Sequence, residues 1–413
     1  MARTLRACGA YTAALTAGIA AAVQGGVNST LAHVLTSASP HASPCGGRVS
    51  GALLAATVSF GGGVLALCVI NGLQLGRRCR IPGCRKPERL IDCAGGVLGS
   101  TVVVLLLLTL PLTGFALSQV LSATGTNCTC LVLDHSGFLG SHAIPLSRSR
   151  IIGAICMLAG SLLSAWEPLR LELGRDSGGD SAMGLLGISA IPLLAGALFA
   201  LQGAVNGRLG RRLHAPLLAT LVSFVGGLGC LTVASVAVCG GPTAEHARAL
   251  RSVLSLHAYH SPEDELKQED ANEEAIEGYP SPYPSPYGRP PAAAPWQLCG
   301  GLLGTFVISV HVVAPSLIGF AANSAFVMTG NLFASVLLDA FGAFGFAARP
   351  PTVVRFAGVC LALAGALLTR RRAPRGGPLL SAAVRRVDGG EGKNRPSNEV
   401  EGVELSRHGH NKT

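Results

Sequence analysis

Long apolar runs, separated by short stretches that are charged or rich in glycine and proline, dominate the hydrophobic pattern of this chain. A helix needs about 20 apolar residues to cross a hydrocarbon core of about 30 Å. Residues 93–133 contain no Asp, Glu, Lys, Arg or His. A helical run of that length would span roughly 60 Å, so it predicts two crossings with a turn at Pro111. The pattern therefore predicts an all-α, polytopic membrane protein.

The same pattern predicts ten transmembrane helices along the chain. A second long apolar run, 296–338, predicts another hairpin, which turns near Pro315. The other predicted spans lie at about 1–35, 51–75, 151–166, 183–207, 214–239 and 353–369. The first of these spans has the charge pattern of a secretory signal, but a similar segment recurs inside the chain, which favours a span.

Two apolar segments carry glutamine and asparagine at the same spacing. Gln24 and Asn28 lie in the first span, and Gln202 and Asn206 lie in the sixth. Residues four apart share one face of a helix, so each pair of amides points in one direction. The small alanine and glycine residues around them are typical of close helix packing in a membrane.

Further sequence blocks return in the same order later in the chain, which indicates a tandem duplication. The blocks that begin at Ala56, Gly95 and Leu133 return at Ala219, Gly300 and Leu338. Each copy is predicted to hold five spans. Because five is an odd number, the second copy must enter the membrane inverted. Two inverted five-helix repeats are a common transporter architecture, with the substrate near the midplane between them.

The distribution of positive charge predicts the orientation of the chain. Ten spans place both termini on one side, and most of the arginines and lysines of the loops fall on that side. The loop between the second and third spans is the most basic, with Arg77, Arg78, Arg80, Arg85, Lys86 and Arg89. The positive-inside rule therefore predicts that the N- and C-termini are cytoplasmic.

The domain organisation follows from these repeats. We expect a first five-span repeat over 1–166, a linker over 167–182 and a second repeat over 183–369. An acidic and proline-rich loop over 242–295 and a basic tail over 370–413 cannot bury enough apolar surface to fold alone, so both are predicted to be disordered.

Composition narrows the function. The chain has 413 residues, 13% of them charged, and a formal net charge of +10, with a mean hydropathy of +0.47. Its cations cluster in loops and in the tail, which argues against nucleic-acid binding. The 13 cysteines show no metal-ligand spacing. Sequence motifs for phosphate binding, zinc peptidases and α/β-hydrolases are missing, so neither an enzyme nor a metal or other cofactor is predicted.

The paired amides are the candidates for a central polar site, because amides donate and accept hydrogen bonds without the cost of a buried charge. The alternative is that they only hold helices together. The same two alternatives apply to the serines of the second and seventh spans, where following glycines favour packing. The substrate-binding candidates of these two kinds are Gln24, Asn28, Gln202, Asn206, Ser59 and Ser223.

Asp134 and Asp339 border the apolar hairpins, one in each copy. An ionisable group near a membrane core can carry a proton that couples transport. Alternatively, each aspartate caps the turn that leads to Gly137 or Gly342. His311 has no counterpart in the first copy, and a packing role is predicted for it.

The chain resembles a known family where Gln24-x3-Asn28, Ser59-Phe60 and Leu337-Leu338-Asp339 align. Each half is similar to a YdcZ-type protein, a five-span bacterial inner-membrane family of the drug/metabolite transporter superfamily. Where the family commonly has a glutamine after the residue that matches Gly330, this chain has Asn331, which the resemblance makes a further substrate-binding candidate. The first half departs more, with an insertion around 33–48.

The resemblance implies a transporter fold and export. We therefore expect a secondary transporter, an exporter of a small metabolite or drug-like solute, that works in a lipid bilayer by alternating access. A non-transporting scaffold or sensor, whose loop and tail recruit partners, is the alternative. A homo-oligomer is left open by the sequence.

Overall fold

We describe the protein from a computed structural model that covers residues 2–38, 47–75, 90–138, 143–166, 179–242, 244–254, 294–345, 348 and 351–370. The described residues all belong to one compact unit. Every regular element within the described residues is helical. The α-helices are α1 (Ala2–Ala38), α2 (Gly47–Leu75), α3 (Gly95–Ser136), α4 (Arg148–Ser164), α5 (Gly179–Leu213), α6 (Pro216–Cys239), α7 (Ala244–Leu254), α8 (Gly300–Ile318), α9 (Phe320–Ala340) and α10 (Val353–Thr369).

Six segments of these helices are long and apolar enough to cross a bilayer, which confirms an all-helical, multi-pass membrane protein. They are Leu5–Ser37, Gly47–Leu73, Gly187–Leu213, Pro216–Cys239, Pro295–Ile318 and Phe320–Ala340. Two shorter segments, Gly95–Thr109 and Val353–Thr369, are also apolar. Each of the six lies in a region where the hydrophobic pattern predicts a span.

The first predicted hairpin is occupied by α3, a helical run of 42 residues. This run cannot be straight. Gly99 packs against Gln202 and Gly125 packs against Leu193, and these two partners lie only about 14 Å apart along α5. The intervening residues of a straight α3 would extend about 39 Å. The path of α3 therefore bends sharply between Gly99 and Gly125, a stretch that includes the predicted turn at Pro111.

In the second predicted hairpin, the helix breaks completely. Gly319 separates α8 from α9 and has φ 92° and ψ 158°, a conformation that glycine adopts without strain. Its N–H donates to the carbonyl of Pro315 at 2.9 Å. The break falls at Gly319 rather than at Pro315, because a proline can be accommodated within a helix that bends, whereas a positive φ ends the helix.

The second helices of the two halves, α2 and α6, pack against each other in opposite directions. Asn71, near the end of α2, donates to the Leu217 carbonyl near the start of α6 at 3.3 Å. Further along, the rings of Phe60 and Phe224 lie 5.1 Å apart. The start of α2 is therefore directed toward the end of α6.

The last helices of the two halves, α4 and α10, also run antiparallel, and glycines bring them close together. A methyl group added at Gly153 would lie 2.6 Å from the Gly365 carbonyl oxygen, and one added at Gly160 would lie 2.5 Å from that of Gly358. Such close approach of backbones through small residues is typical of helix association in membranes.

One part of the predicted disordered loop is folded, so that prediction is wrong for Ala244–Leu254, the helix α7. Val253 is fully buried in a cluster with Leu31 and Leu35, and His246 Nε2 lies 3.3 Å from Ser50 Oγ. The loop as a whole has a polar composition, but the apolar residues of α7 recur with helical spacing and so share one face of the helix. Residues 243 and 255–293 of that loop, residues 167–178 of the linker and the tail beyond 370 lie outside the described residues.

This packing leads to a prediction about the loop. Replacing residues 256–292 by a short Gly/Ser linker should leave the thermal stability of the purified protein unchanged, because α7 and its contacts remain. A deletion that also removes 244–254 should lower the melting temperature, because Val253 and His246 lose their buried positions. Equal melting temperatures for the two deletions, measured in detergent, would contradict a stabilising role for α7.

Candidate functional site

Gln24 and Asn28 of α1 fill the space beside two glycines of α8. A methyl group added at Gly304 would lie 2.5 Å from Gln24 Nε2, and one added at Gly300 would lie 2.0 Å from Asn28 Oδ1. The amides therefore occupy the volume that a side chain on α8 would need, so the two helices depend on each other for close packing.

The same arrangement recurs between α5 and α3. A methyl group at Gly99 would lie 2.3 Å from Gln202 Nε2, and one at Gly95 would lie 1.8 Å from Asn206 Oδ1. Asn206 Nδ2 also donates to Ser223 Oγ at 3.1 Å. In each half, the amide pair thus packs on glycines contributed by the other half.

Ser59 and Ser223 lie at equivalent helix contacts. A methyl group added at Gly301 would lie 2.1 Å from the Ser59 carbonyl oxygen, and one added at Gly96 would lie 2.3 Å from that of Ser223. Both serines are at most 4% exposed. Both serines therefore lie where two helices cross closely.

A cavity of about 180 Å³ lies between α1, α3, α5, α8 and α9. Most of its lining is apolar, with side chains such as Val102, Leu106 and Val327. Phe199, which also lines it, stands near the middle of the apolar segment Gly187–Leu213. The cavity therefore lies near the centre of the bundle, close to the mid-length of that segment.

Corresponding positions of the two halves, aligned by the recurring blocks, line this cavity together. The lining pairs are Ala21 and Phe199, Val102 and Val307, Leu106 and His311, Gln119 and Ser324, Ser122 and Val327, and Thr126 and Asn331. Their backbone positions correspond, but their chemistry differs. The cavity consequently has a distinct distribution of polar groups on each wall.

Neutral polar side chains form two separate hydrogen-bonded groups beside the cavity. Asn331 Nδ2 donates to Gln119 Oε1 at 2.9 Å, joining α9 to α3. Ser335 Oγ donates to Asn331 Oδ1 at 3.2 Å. Ser324 Oγ donates to Asn127 Oδ1 at 2.9 Å. These bonds orient the amides of the wall without any buried charge.

The structure divides the predicted substrate-binding residues into two groups. Gln24, Asn28 and Asn331 line the cavity. The other four lie at the helix contacts described above: Gln202, Asn206, Ser59 and Ser223. The sequence prediction missed Gln119, although an amide within an otherwise apolar run was a visible signal.

Asp134 is buried at the end of α3 and stabilises the start of α9. Its carboxylate accepts hydrogen bonds from the backbone N–H groups of Phe320 at 2.8 Å and Ala321 at 3.0 Å. The Arg150 guanidinium donates to the same carboxylate. A carboxylate is favourable at a helix N-terminus, where N–H groups lack partners within the helix. Asp134 therefore caps a helix of the other half rather than the turn that leads to Gly137.

Asp339 forms an equivalent ion pair at the end of α9. Arg355 Nη2 lies 2.5 Å from Asp339 Oδ2, and the Arg355 side chain is buried. Asp339 is separated from Arg355 by the same number of residues as Asp134 is from Arg150. The two halves thus share one Asp–Arg pair each.

A third carboxylate, Asp92, was missed by the sequence prediction. It precedes α3 and is 1% exposed. Arg212 Nη1 donates to Asp92 Oδ2 at 2.9 Å, and Arg208 Nε lies 3.1 Å from Asp92 Oδ1. Both arginines belong to the end of α5, so this cluster ties the two halves together.

Among the described residues, no group of three or more His, Cys, Asp and Glu side chains is placed to hold a metal ion. The cysteines of this part are free thiols, with the exception of Cys239 at the end of α6, which forms a disulfide.

The amide positions, the glycine-rich helix contacts and the central cavity lie within a sequence that matches a known family. The family described as "Putative inner membrane exporter, YdcZ" matches residues 10–163, 188–256 and 284–368, which is well over half of the chain. The chain belongs to the YdcZ family. The family matches 10–163 in the first half of the chain and 188–256 and 284–368 in the second half. The resemblance of both halves to YdcZ-type proteins is therefore confirmed.

Other comparisons of this YdcZ-family protein add little. No curated protein matches the chain. One solved structure, titled "Crystal structure of protein", covers 84% of this chain and 96% of its own chain, with 15% sequence identity and a TM-score of 0.44. That similarity is too low to carry an argument.

Proposed function

We propose that this YdcZ-family protein is a secondary transporter that exports a small amphipathic solute by alternating access. The observation that carries the proposal is the central cavity, because corresponding residues of both halves line it. A site shared by two similar halves can be exposed to either side of a membrane when the halves rock against each other. Membership of a family described as an exporter supports the same function.

The proposed architecture is ten transmembrane helices in two inverted five-helix repeats, with α3 supplying two of the spans. The antiparallel packing of α2 on α6 supports the inversion, because these are the second helices of the two repeats. The antiparallel packing of the fifth helices, α4 and α10, supports it independently. Two copies with the same orientation would instead place equivalent helices parallel.

We further propose that both termini are cytoplasmic. The disulfide at Cys239 supports this orientation, because disulfides persist in oxidising compartments. The end of α6 would then face away from the cytoplasm. An accessibility tag in the 256–292 segment and a second tag at the C-terminus should label from opposite sides of the membrane. Labelling of both from one side would refute the inverted arrangement.

The residues proposed to contact the solute are Gln24, Asn28, Asn331 and Gln119, since all four line the cavity. Gln202, Asn206, Ser59 and Ser223 are assigned to helix packing. Proton coupling through Asp134 and Asp339 stays an untested prediction. Their ion pairs with Arg150 and Arg355 favour a structural role, because each carboxylate already has a fixed positive partner.

Solute flux into proteoliposomes is the decisive measurement. The purified full-length chain should move at least one solute from a panel of small uncharged and weakly basic amphipathic compounds faster than empty liposomes do. A properly folded protein that moves none of them, in either direction and with or without a proton gradient, would favour the scaffold alternative.

The two amide pairs allow a matched prediction. Gln24→Ala/Asn28→Ala should lower both thermal stability and solute flux, because these amides fill space beside α8 and also line the cavity. Gln202→Ala/Asn206→Ala should lower stability by a similar amount but leave flux per folded molecule nearly unchanged. Each interhelical hydrogen bond in a membrane contributes only about 0.6 kcal/mol, so both proteins should still fold.

Flux and melting temperature, measured on the same preparations of the two double variants, check this prediction. Equal loss of flux in both would show that the second pair also serves transport. Unchanged flux and melting in both would contradict contact with the solute as well as packing.

A further inference from the structure

We propose that His311 recognises the transported solute by accepting a hydrogen bond from it. The solute is accordingly an uncharged, amphipathic molecule with at least one O–H or N–H group. This inference rests on the proposed transport function, because His311 lines the same cavity. It changes the packing role that the sequence predicted for this residue.

The hydrogen bond at one ring nitrogen fixes the position of the ring proton. His311 Nδ1 lies 2.9 Å from the Val307 carbonyl oxygen, one turn earlier in α8. A carbonyl oxygen can only accept, so Nδ1 must carry the proton. In the neutral imidazole, the other nitrogen, Nε2, then bears a lone pair and is an acceptor.

His311 Nε2 is buried and has no hydrogen-bond partner within the described part of the chain. The whole residue is only 6% exposed. A buried acceptor without a hydrogen-bond partner destabilises the folded protein. Because Nδ1 points back to the helix backbone, Nε2 is the nitrogen on the far side of a ring that lines the cavity. A donor group on a solute would satisfy it.

The rest of the cavity selects against charge. The described residues that line it include no Asp, Glu, Lys or Arg. A cationic solute would therefore lose its hydration without gaining a counter-charge, which is costly in an apolar site. Protonation of His311 itself would leave an equally unpaired charge. A neutral hydroxyl or N–H group meets the acceptor without that cost.

Size and shape limit the solute further. A cavity of about 150 Å³ holds benzene, and this one measures about 180 Å³. Phe199 stands edge-on to the His311 ring, with centroids 4.6 Å apart and an interplanar angle of 67°. The opposite wall presents Leu106 at the position that corresponds to His311. A compact apolar body with its donor directed at α8 fits this arrangement.

Phenol and anisole test the inference as matched probes, because they have similar shapes but only phenol carries an O–H. Binding to the purified full-length protein can be measured by ligand-observed NMR titration, together with the ¹⁵N signals of labelled histidine. The wild type should prefer phenol by about fivefold, as expected for one net hydrogen bond. Phenol, but not anisole, should shift the His311 Nε2 signal.

Two variants at His311 and one on the opposite wall complete the test. His311→Leu should bind phenol and anisole equally, whereas His311→Gln, which keeps an acceptor, should retain part of the preference. Leu106→Ala should weaken both probes alike, because it removes only apolar contact. No preference in the wild type, or an unchanged preference in His311→Leu, would overturn the inference.

The flux measurement separates this inference from the proposed function. Transport of solutes that lack any donor, at the same rate as matched solutes with one, would refute the role of His311 and leave the transporter proposal standing. Absence of flux for every solute would refute the transporter, even if phenol still bound in preference to anisole.

Discussion

Replacing Arg150 by alanine should lower the free energy of unfolding by about 3–5 kcal/mol, because it leaves a buried carboxylate without its positive partner. The Arg150 and Asp134 side chains are only 5% and 2% exposed. Asp134 would keep its hydrogen bonds from Phe320 and Ala321, but those neutral donors cannot balance a full charge. Thermal unfolding in detergent, with folded yield as a second readout, measures the loss.

Removing both charges is the control for this prediction. Arg150→Met/Asp134→Leu should recover part of the loss, since no unpaired charge remains in the apolar interior. Recovery should be incomplete, because a lost helix cap costs about 1 kcal/mol. The equivalent variant in the second half, Arg355→Ala, should cost less than Arg150→Ala, since the Asp339 side chain is 16% exposed. A near-normal melting temperature for Arg150→Ala would contradict the buried ion pair.

Replacing Gly330 by alanine should also destabilise the protein strongly, by about 1–3 kcal/mol or more. A methyl group at Gly330 would lie 2.0 Å from the Leu15 carbonyl oxygen, and one at Gly18 would lie 1.9 Å from that of Val327. Both obstacles are backbone atoms, so α1 and α9 can accept the methyl group only by moving apart. Since Val327 and Asn331 line the cavity, flux should fall together with stability.

Gly61 is the matched control, at a half-buried position in the helix α2 that has open space beside it. A methyl group there meets no atom within 4 Å. Gly61→Ala should therefore be neutral or stabilise the protein by up to about 1 kcal/mol, the usual gain from alanine within a helix. Destabilisation by Gly330→Ala together with stabilisation by Gly61→Ala would show that close helix crossing, rather than helix propensity, decides the effect of alanine on stability. A stable Gly330→Ala protein with full flux would contradict the close crossing.

The sequence predicted the helical segments because their signal is local. An apolar run long enough to cross a bilayer is visible in residue order alone, and α6 illustrates this: its bounds, Pro216–Cys239, nearly coincide with the predicted span. The prediction of disorder was wrong at α7 because composition was averaged over the whole loop. The acidic and proline-rich residues that follow it dominate the composition of the loop, while burial of Val253 depends on Leu31 and Leu35, more than 200 residues earlier.

The ion pairs could not be predicted either, because each one depends on how the helices pack. Asp92 meets Arg208 and Arg212 only because the end of α5 returns to the start of α3. The sequence singled out Asp134, but the backbone N–H groups that it caps belong to α9, in the other half of the chain. A carboxylate's role depends on its partners, and residue order does not identify them.

By itself, the sequence determined that this is an all-helical membrane protein with two related halves of the YdcZ family, because span length and matched spacing are properties of the chain alone. It also determined which positions carry amides. Only the tertiary structure decided that both amide pairs pack on glycines of the other half, and that Gln24 and Asn28 also line a cavity. The same local pattern has two roles, because helices from distant parts of the chain fix the space around each side chain.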